Sequence, residues 1–284
     1  MVLLARLTAF AVFGGILALG RSAASETVTF DVMPTLSESV TLSAELIKPQ
    51  GAGPFPAVVL MHGCNGLWRP WGGLWAGRLV RWGYVTVRVD SFGPRGHPDG
   101  ICDTPLMVYP LTRAADAHAA KDYLMRLPFV DRDRIAVMGM SHGGSTTLAA
   151  VENTYIVELP RAEPFGAAIA FYPWCGPRLY RLDAPLLVLI GEADDWTYAF
   201  KCERMVLVDR TEHNITLKVY PGATHAFDID RPYRVYLGHT MRFHPSAARD
   251  AEARVRSFLA EHLNVVDPPV ISAPRTEESM QESP

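Results

Sequence analysis

The chain has 284 residues, 49% of them apolar and 20% charged, which excludes wholesale disorder and suggests one or two domains. Its 27 basic and 30 acidic residues give a formal charge of −3, which excludes the concentrated positive field of a nucleic-acid binder. Four cysteines are too few for a disulfide-built miniprotein, but their even number matters once the compartment is considered.

Residues 1–24 read as a secretory signal peptide: Arg6 precedes an apolar run from Leu7 to Leu19, and Ser22, Ala23 and Ala24 offer a cleavage site after Ala24. An uncleaved anchor is the alternative, but the run is about 13 residues against the ~20 needed to cross a bilayer. Export to a periplasmic or extracellular compartment is expected, with no stable membrane insertion after cleavage. In an oxidising compartment Cys64, Cys102, Cys175 and Cys202 can pair in three ways. Cys64–Cys102 and Cys175–Cys202 are favoured, because the fold sketched below brings each pair to one rim. No pair has the C-x-x-C spacing of a zinc site, so no metal is expected.

Along the chain, ETVTFDVM and SVTLSAELIKP alternate apolar and polar residues, the pattern of strands exposed on one face. PAVVLM (56–61) and YVTVRVD (84–90) are continuous apolar runs typical of strands buried on both faces, with the helical WAGRLVRWG between them. A helix is expected from Thr112 to Leu127, stopped by Pro128. Strand RIAVMG (134–139) runs into a helix beginning near His142. Strands GAAIAFY (166–172), PLLVLIG (185–191) and ITLKVY (215–220) follow, then a helix from about Pro245 to His262. Strands alternating with helices predict a mostly parallel sheet of about eight strands with helices on both faces. Residues 25–264 make one α/β domain on this reading. The Pro-, Ser- and Glu-rich tail from Val265 is expected to be disordered. Asn214-Ile215-Thr216 is a formal glycosylation sequon.

The strongest chemical signal is Gly139-Met140-Ser141-His142-Gly143, a G-x-S-x-G at a strand-to-helix turn. Such a turn forces the serine into strained angles, so its neighbours two before and two after must lack side chains. A serine nucleophile needs a base. His225 lies on the Gly222-containing loop after the last strand, and an acid belongs after the preceding one, where Glu192, Asp194 and Asp195 crowd together. Asp194 is the choice over Asp195, which can instead start the helix containing Tyr198 and Phe200. Backbone N–H groups of Cys64, in the His62-Gly63-Cys64-Asn65-Gly66 loop, and of His142 are placed to bind an oxyanion.

With PAVVLMHGCNG, YVTVRVDSFGPRG, RIAVMGMSHGG, LIGEADDWT and YPGATHAFD in that order, the chain resembles the α/β-hydrolase superfamily, and within it the dienelactone hydrolase-like family. The resemblance implies the α/β-hydrolase fold, a Ser141–Asp194–His225 triad, and hydrolysis of carboxylic ester or lactone bonds without a cofactor. The best-known dienelactone hydrolases use a cysteine where this chain has Ser141, and a glutamate where it has Gly63. They also hold a substrate carboxylate with two arginines. Arg95 can supply one, whereas the place four residues after His225 holds Ile229. Trp68, Trp71, Trp174 and Trp196 are candidates for an acyl or alcohol pocket. The rival readings are a serine peptidase of prolyl oligopeptidase type and a non-catalytic binding protein on a hydrolase fold.

Overall fold

A computed structural model describes residues 25–32, 39–67, 69–152, 163–176, 182–208 and 215–265. The expected signal peptide, Trp68, the sequon residue Asn214 and all but the first residue of the expected tail lie outside them.

Eight strands form one sheet: β1 (Ser25–Val32), β2 (Val40–Ile47), β3 (Phe55–Met61), β4 (Val85–Asp90), β5 (Val130–Met140), β6 (Ala167–Phe171), β7 (Leu186–Gly191) and β8 (Ile215–Tyr220). Their order is β1-β2-β4-β3-β5-β6-β7-β8, with β3 to β8 parallel and β1 and β2 joined antiparallel at one end. The burial pattern follows the sequence: β1 alternates exposed and buried residues, whereas β6 and β7 are buried throughout. A strand covered by helices on both faces has no solvent side to mark with polar residues.

Helices α1 (Arg69–Arg81) and α5 (Pro245–His262) are bridged by an Arg78–Glu252 ion pair of 2.9 Å. Helix α2 (Pro110–Met125) packs on α3 (His142–Ala150) against the sheet, and α4 (Ala199–Val208) packs on β7 and β8. Helix α2 starts two residues before the expected Thr112, because Pro110 occupies its first turn, where a missing N–H costs nothing. A hairpin of β9 (Arg234–Tyr236) and β10 (His239–Met241) between β8 and α5 is absent from the sequence reading. It lies over the carboxyl edge of the sheet, where a parallel sheet places its ligand sites. Among the described residues no helix is long and apolar enough to cross a membrane.

Candidate active site

Ser141 stands between β5 and α3 at φ 52° and ψ −118°, outside the basins that L-residues favour. The turn is possible only because its flanks are bare. A Cβ on Gly139 would sit 2.1 Å from the Gly143 carbonyl oxygen, and one on Gly143 2.1 Å from that of Met61. The Ser141 N–H donates to the Phe171 carbonyl at 2.9 Å, tying the turn to the end of β6. Tyr172 and Ala226, beside Phe171 and His225, also take positive φ. Strained backbone is thus concentrated around one point.

The Ser141 hydroxyl lies 3.0 Å from His225 Nε2, and His225 Nδ1 lies 2.8 Å from Asp194 Oδ2. With Nδ1–H donating to the carboxylate, the Nε2 lone pair faces the hydroxyl, the tautomer a general base requires. The other Asp194 oxygen accepts the N–H groups of Trp196 and Thr197 at 2.9 and 2.8 Å. Burial pushes the Asp194 carboxyl up, but the neighbouring His225 charge and these hydrogen bonds outweigh it and hold it below its ordinary value. Asp195 points elsewhere. Both its oxygens accept the Thr240 N–H at 3.1 Å, so it anchors β10 rather than starting a helix.

Cys64 lies in the loop after β3 and lines the same cleft as Ser141, and His142 follows Ser141 as the first residue of α3. The loop after β3 is pinned by the Cys64–Cys102 disulfide and by Ile101 N–H donating to the Cys64 carbonyl at 2.7 Å. Gly100 permits that approach, since a Cβ there would fall 2.5 Å from the same carbonyl oxygen. Cys175 is bonded to Cys202, which fixes the loop after β6 to α4. Behind both Cys64 and His142 lies Arg113, a wholly buried cation that sequence reasoning missed. One of its nitrogens donates to His142 Nδ1 and another to the His62 carbonyl, each at 2.8 Å, while the guanidinium covers the Phe92 ring. Burial pushes Arg113 down to about 9, which leaves it charged at neutral pH. Burial and then the Arg113 charge depress both histidines, His142 to about 3, so both are neutral. His142 Nε2–H then donates to the Pro105 carbonyl at 3.0 Å, and His62 Nδ1–H to that of Gly63 at 2.7 Å.

A second buried polar centre supports His225. Asp228, three residues on, accepts both indole N–H groups of Trp71 and Trp75 on one oxygen, at 3.0 and 2.9 Å. Its other oxygen accepts the Tyr172 hydroxyl at 2.8 Å. The Tyr172 ring in turn meets the His225 imidazole edge to face, with centroids 4.7 Å apart. Burial raises the Asp228 carboxyl despite these three bonds.

The cleft above Ser141 is lined by Gly63, Cys64, Asn65, Cys102 and Met140, and on its far side by Trp196, Arg234, Tyr236 and Met241. Of the expected pocket residues, Trp196 is therefore in place, 5.1 Å from the His225 ring. Trp71 is corrected to a core residue whose indole serves Asp228. Trp174 stands exposed on the rim outside the cleft, and Trp68 lies outside the described residues. Arg95 is also corrected: its guanidinium grips Asp116 with two bonds of 2.7 and 2.9 Å, plus the Ser91 carbonyl, and it does not line the cleft. Among the described residues no group of three or more His, Cys, Asp or Glu is arranged to hold a metal ion.

Comparison with known proteins gives a match to the model of the "Dienelactone hydrolase family" over residues 42–263. An Escherichia coli protein, "Uncharacterized protein YcjY", is 31% identical over 122 residues, covering 42% of this chain and 39% of that protein. A Bradyrhizobium protein named "Probable 2-oxo-3-(5-oxofuran-2-ylidene)propanoate lactonase" is 24% identical over 262 residues, covering 84% of this chain and 97% of that one. Among solved structures, a dienelactone hydrolase from Anabaena variabilis superposes with a TM-score of 0.60 at 18% identity, over 84% of this chain and 98% of that one.

Proposed function

The chain belongs to the dienelactone hydrolase family, and on that premise we propose that it is an exported serine hydrolase cleaving a carboxylic ester or lactone. The observation that carries this reading is the continuous hydrogen-bonded line from Asp194 through His225 to Ser141, set on a strained turn.

The Ser141 oxygen attacks the carbonyl carbon while His225 Nε2 takes its proton. The tetrahedral oxyanion is held by the Cys64 and His142 N–H groups, worth roughly 3–4 kcal/mol per donor. When the C–O bond breaks, His225 returns the proton to the departing alkoxide, which leaves as an alcohol. Water then adds to the acyl-enzyme, His225 takes one proton, and the collapse releases the acid and restores the Ser141 hydroxyl. With a lactone, the alcohol and acid leave as one molecule. Asp194 keeps its negative charge throughout and stabilises the imidazolium. Arg113 fixes the two segments that carry the oxyanion donors to each other, so neither has to reorganise as charge develops. The two disulfides and the N-terminal leader pattern support export.

The test is hydrolysis of p-nitrophenyl acetate by wild type and by Ser141→Ala. The mechanism requires a loss of three orders of magnitude or more in the variant, by analogy with other serine triads. Activity within about tenfold of wild type rejects the role given to Ser141.

A further inference from the structure

Large exposed hydrophobic residues gather at the carboxyl edge of the sheet, around the mouth of the cleft. After β4 come Leu106, Met107 and Tyr109, between 55% and 63% exposed. They follow Cys102, which lines the cleft, and flank Pro105, whose carbonyl holds His142. Trp174 stands after β6, its N–H donating to Ser145 one helical turn beyond the serine. Tyr198 follows Trp196 by two residues. After β8, Tyr233 and the hairpin residues Val235 and Leu237 are exposed. Among the described residues, Leu207 at the end of α4 is the lone large exposed hydrophobic toward the opposite edge.

The hairpin tip is unusual in itself. Tyr236 pairs with His239, leaving a two-residue turn of Leu237 and Gly238, both at positive φ (50° and 84°). Such a turn is best served by Asn-Gly, and a leucine there is strained. The strained leucine is also half exposed, so no core packing rewards it. Residues 230–244 carry Arg231, Arg234 and Arg242 against one acid, Asp230, so the tip is apolar on a basic base. Leucine and aromatic side chains interleaved with arginine suit the boundary between lipid headgroups and acyl chains.

Resting on the ester hydrolase reading, we propose that this collar seats the enzyme on an anionic lipid surface, so that its substrates are apolar carboxylic esters held in that surface. A folded partner or second copy covering the collar would close the entrance to Ser141. A lipid surface brings the ester with it, and Leu106, Met107 and Leu237 enter the acyl region on either side of the cleft.

The test compares wild type with Leu237→Asn and with the double variant Leu106→Gln/Met107→Gln. None of these residues lines the cleft, and asparagine suits the left-handed tip better than leucine, so the hairpin is kept. Rates are measured on p-nitrophenyl acetate in solution and on a long-chain p-nitrophenyl ester carried in phosphatidylcholine vesicles with and without phosphatidylglycerol. The expected result is a wild-type rate on the vesicle-borne ester that rises with phosphatidylglycerol and drops roughly tenfold or more in each variant, as loss of buried apolar area dictates, with acetate hydrolysis within twofold. Equal rates in wild type and variants on the vesicle-borne ester, or parallel losses on both substrates, overturn the proposal. Failure of acetate hydrolysis in wild type would instead strike the hydrolase reading. The collar is then judged by flotation with the same vesicles, where equal wild-type and Leu237→Asn binding overturns it.

Discussion

Asp228 offers the sharpest test of how the site is supported, because its three partners are all buried and all donors. Replacement by alanine leaves the indole N–H groups of Trp71 and Trp75 and the Tyr172 hydroxyl without their acceptor. Each orphaned donor costs about 1–3 kcal/mol, while removing a carboxylate that burial itself disfavours offsets part of the sum. We therefore expect a net loss of about 3–5 kcal/mol, or a melting temperature lower by roughly 6–20 °C for a domain of this size. Asparagine keeps one acceptor oxygen for the two indoles and obliges the tyrosine hydroxyl to turn, so Asp228→Asn should cost about 1–2 kcal/mol. Thermal unfolding followed by near-ultraviolet circular dichroism reads the two indoles directly. An alanine variant that melts within 2 °C of wild type, or coincides with the asparagine variant, would refute the reasoning.

Three further predictions concern the triad, the elbow and pH. Asp194→Asn should lower kcat by roughly 10³–10⁴, since it loses the His225 tautomer, whereas Asp195→Asn, which tethers Thr240 and pairs with His239 on β10, should stay within about threefold; equal losses would undo the assignment. Gly143→Ala drives a Cβ to 2.1 Å from the Met61 carbonyl oxygen and should cost at least about 4 kcal/mol in urea unfolding. Gly73→Ala, with open space around its Cβ on helix α1, should be neutral or stabilising. His62 and His142 are buried neutral, with pKa values depressed below 6.5, His142 to about 3. The unfolded chain then binds more protons below pH 6.5, so stability is fully present above that pH and declines as pH falls. The slope is up to about 1.4 kcal/mol per pH unit for each histidine. Urea midpoints that do not move between pH 7.5 and pH 5 would contradict this.

What the sequence made legible were constraints carried by local backbone. The continuous apolar runs predict β3 to β7, and the bare glycines around Ser141 mark a turn that only such residues allow. His225 could be placed because it follows the last parallel strand. Asp194 and Asp195 are adjacent carboxylates with the same local context, and only the turn after β7 decides which faces the imidazole. Arg95 looked free because its partner Asp116 lies 21 residues away on another element. Arg113 and Asp228 were missed for the same reason, their partners being up to 157 residues distant. A signal for Asp228 was nonetheless present. Trp71 and Trp75 lie four apart on one helical face, and two buried indoles require an acceptor. The hairpin escaped because its strands have three residues each and Leu-Gly is a weak turn signal.

The central claim, that Ser141 is a nucleophile activated by His225, is tested most directly with a fluorophosphonate probe and peptide mapping of the adduct. The account predicts one stoichiometric label on Ser141 in the folded wild type, and none in Ser141→Ala or His225→Ala. A folded wild type that takes no label on Ser141, or equal labelling when His225 is removed, would contradict it.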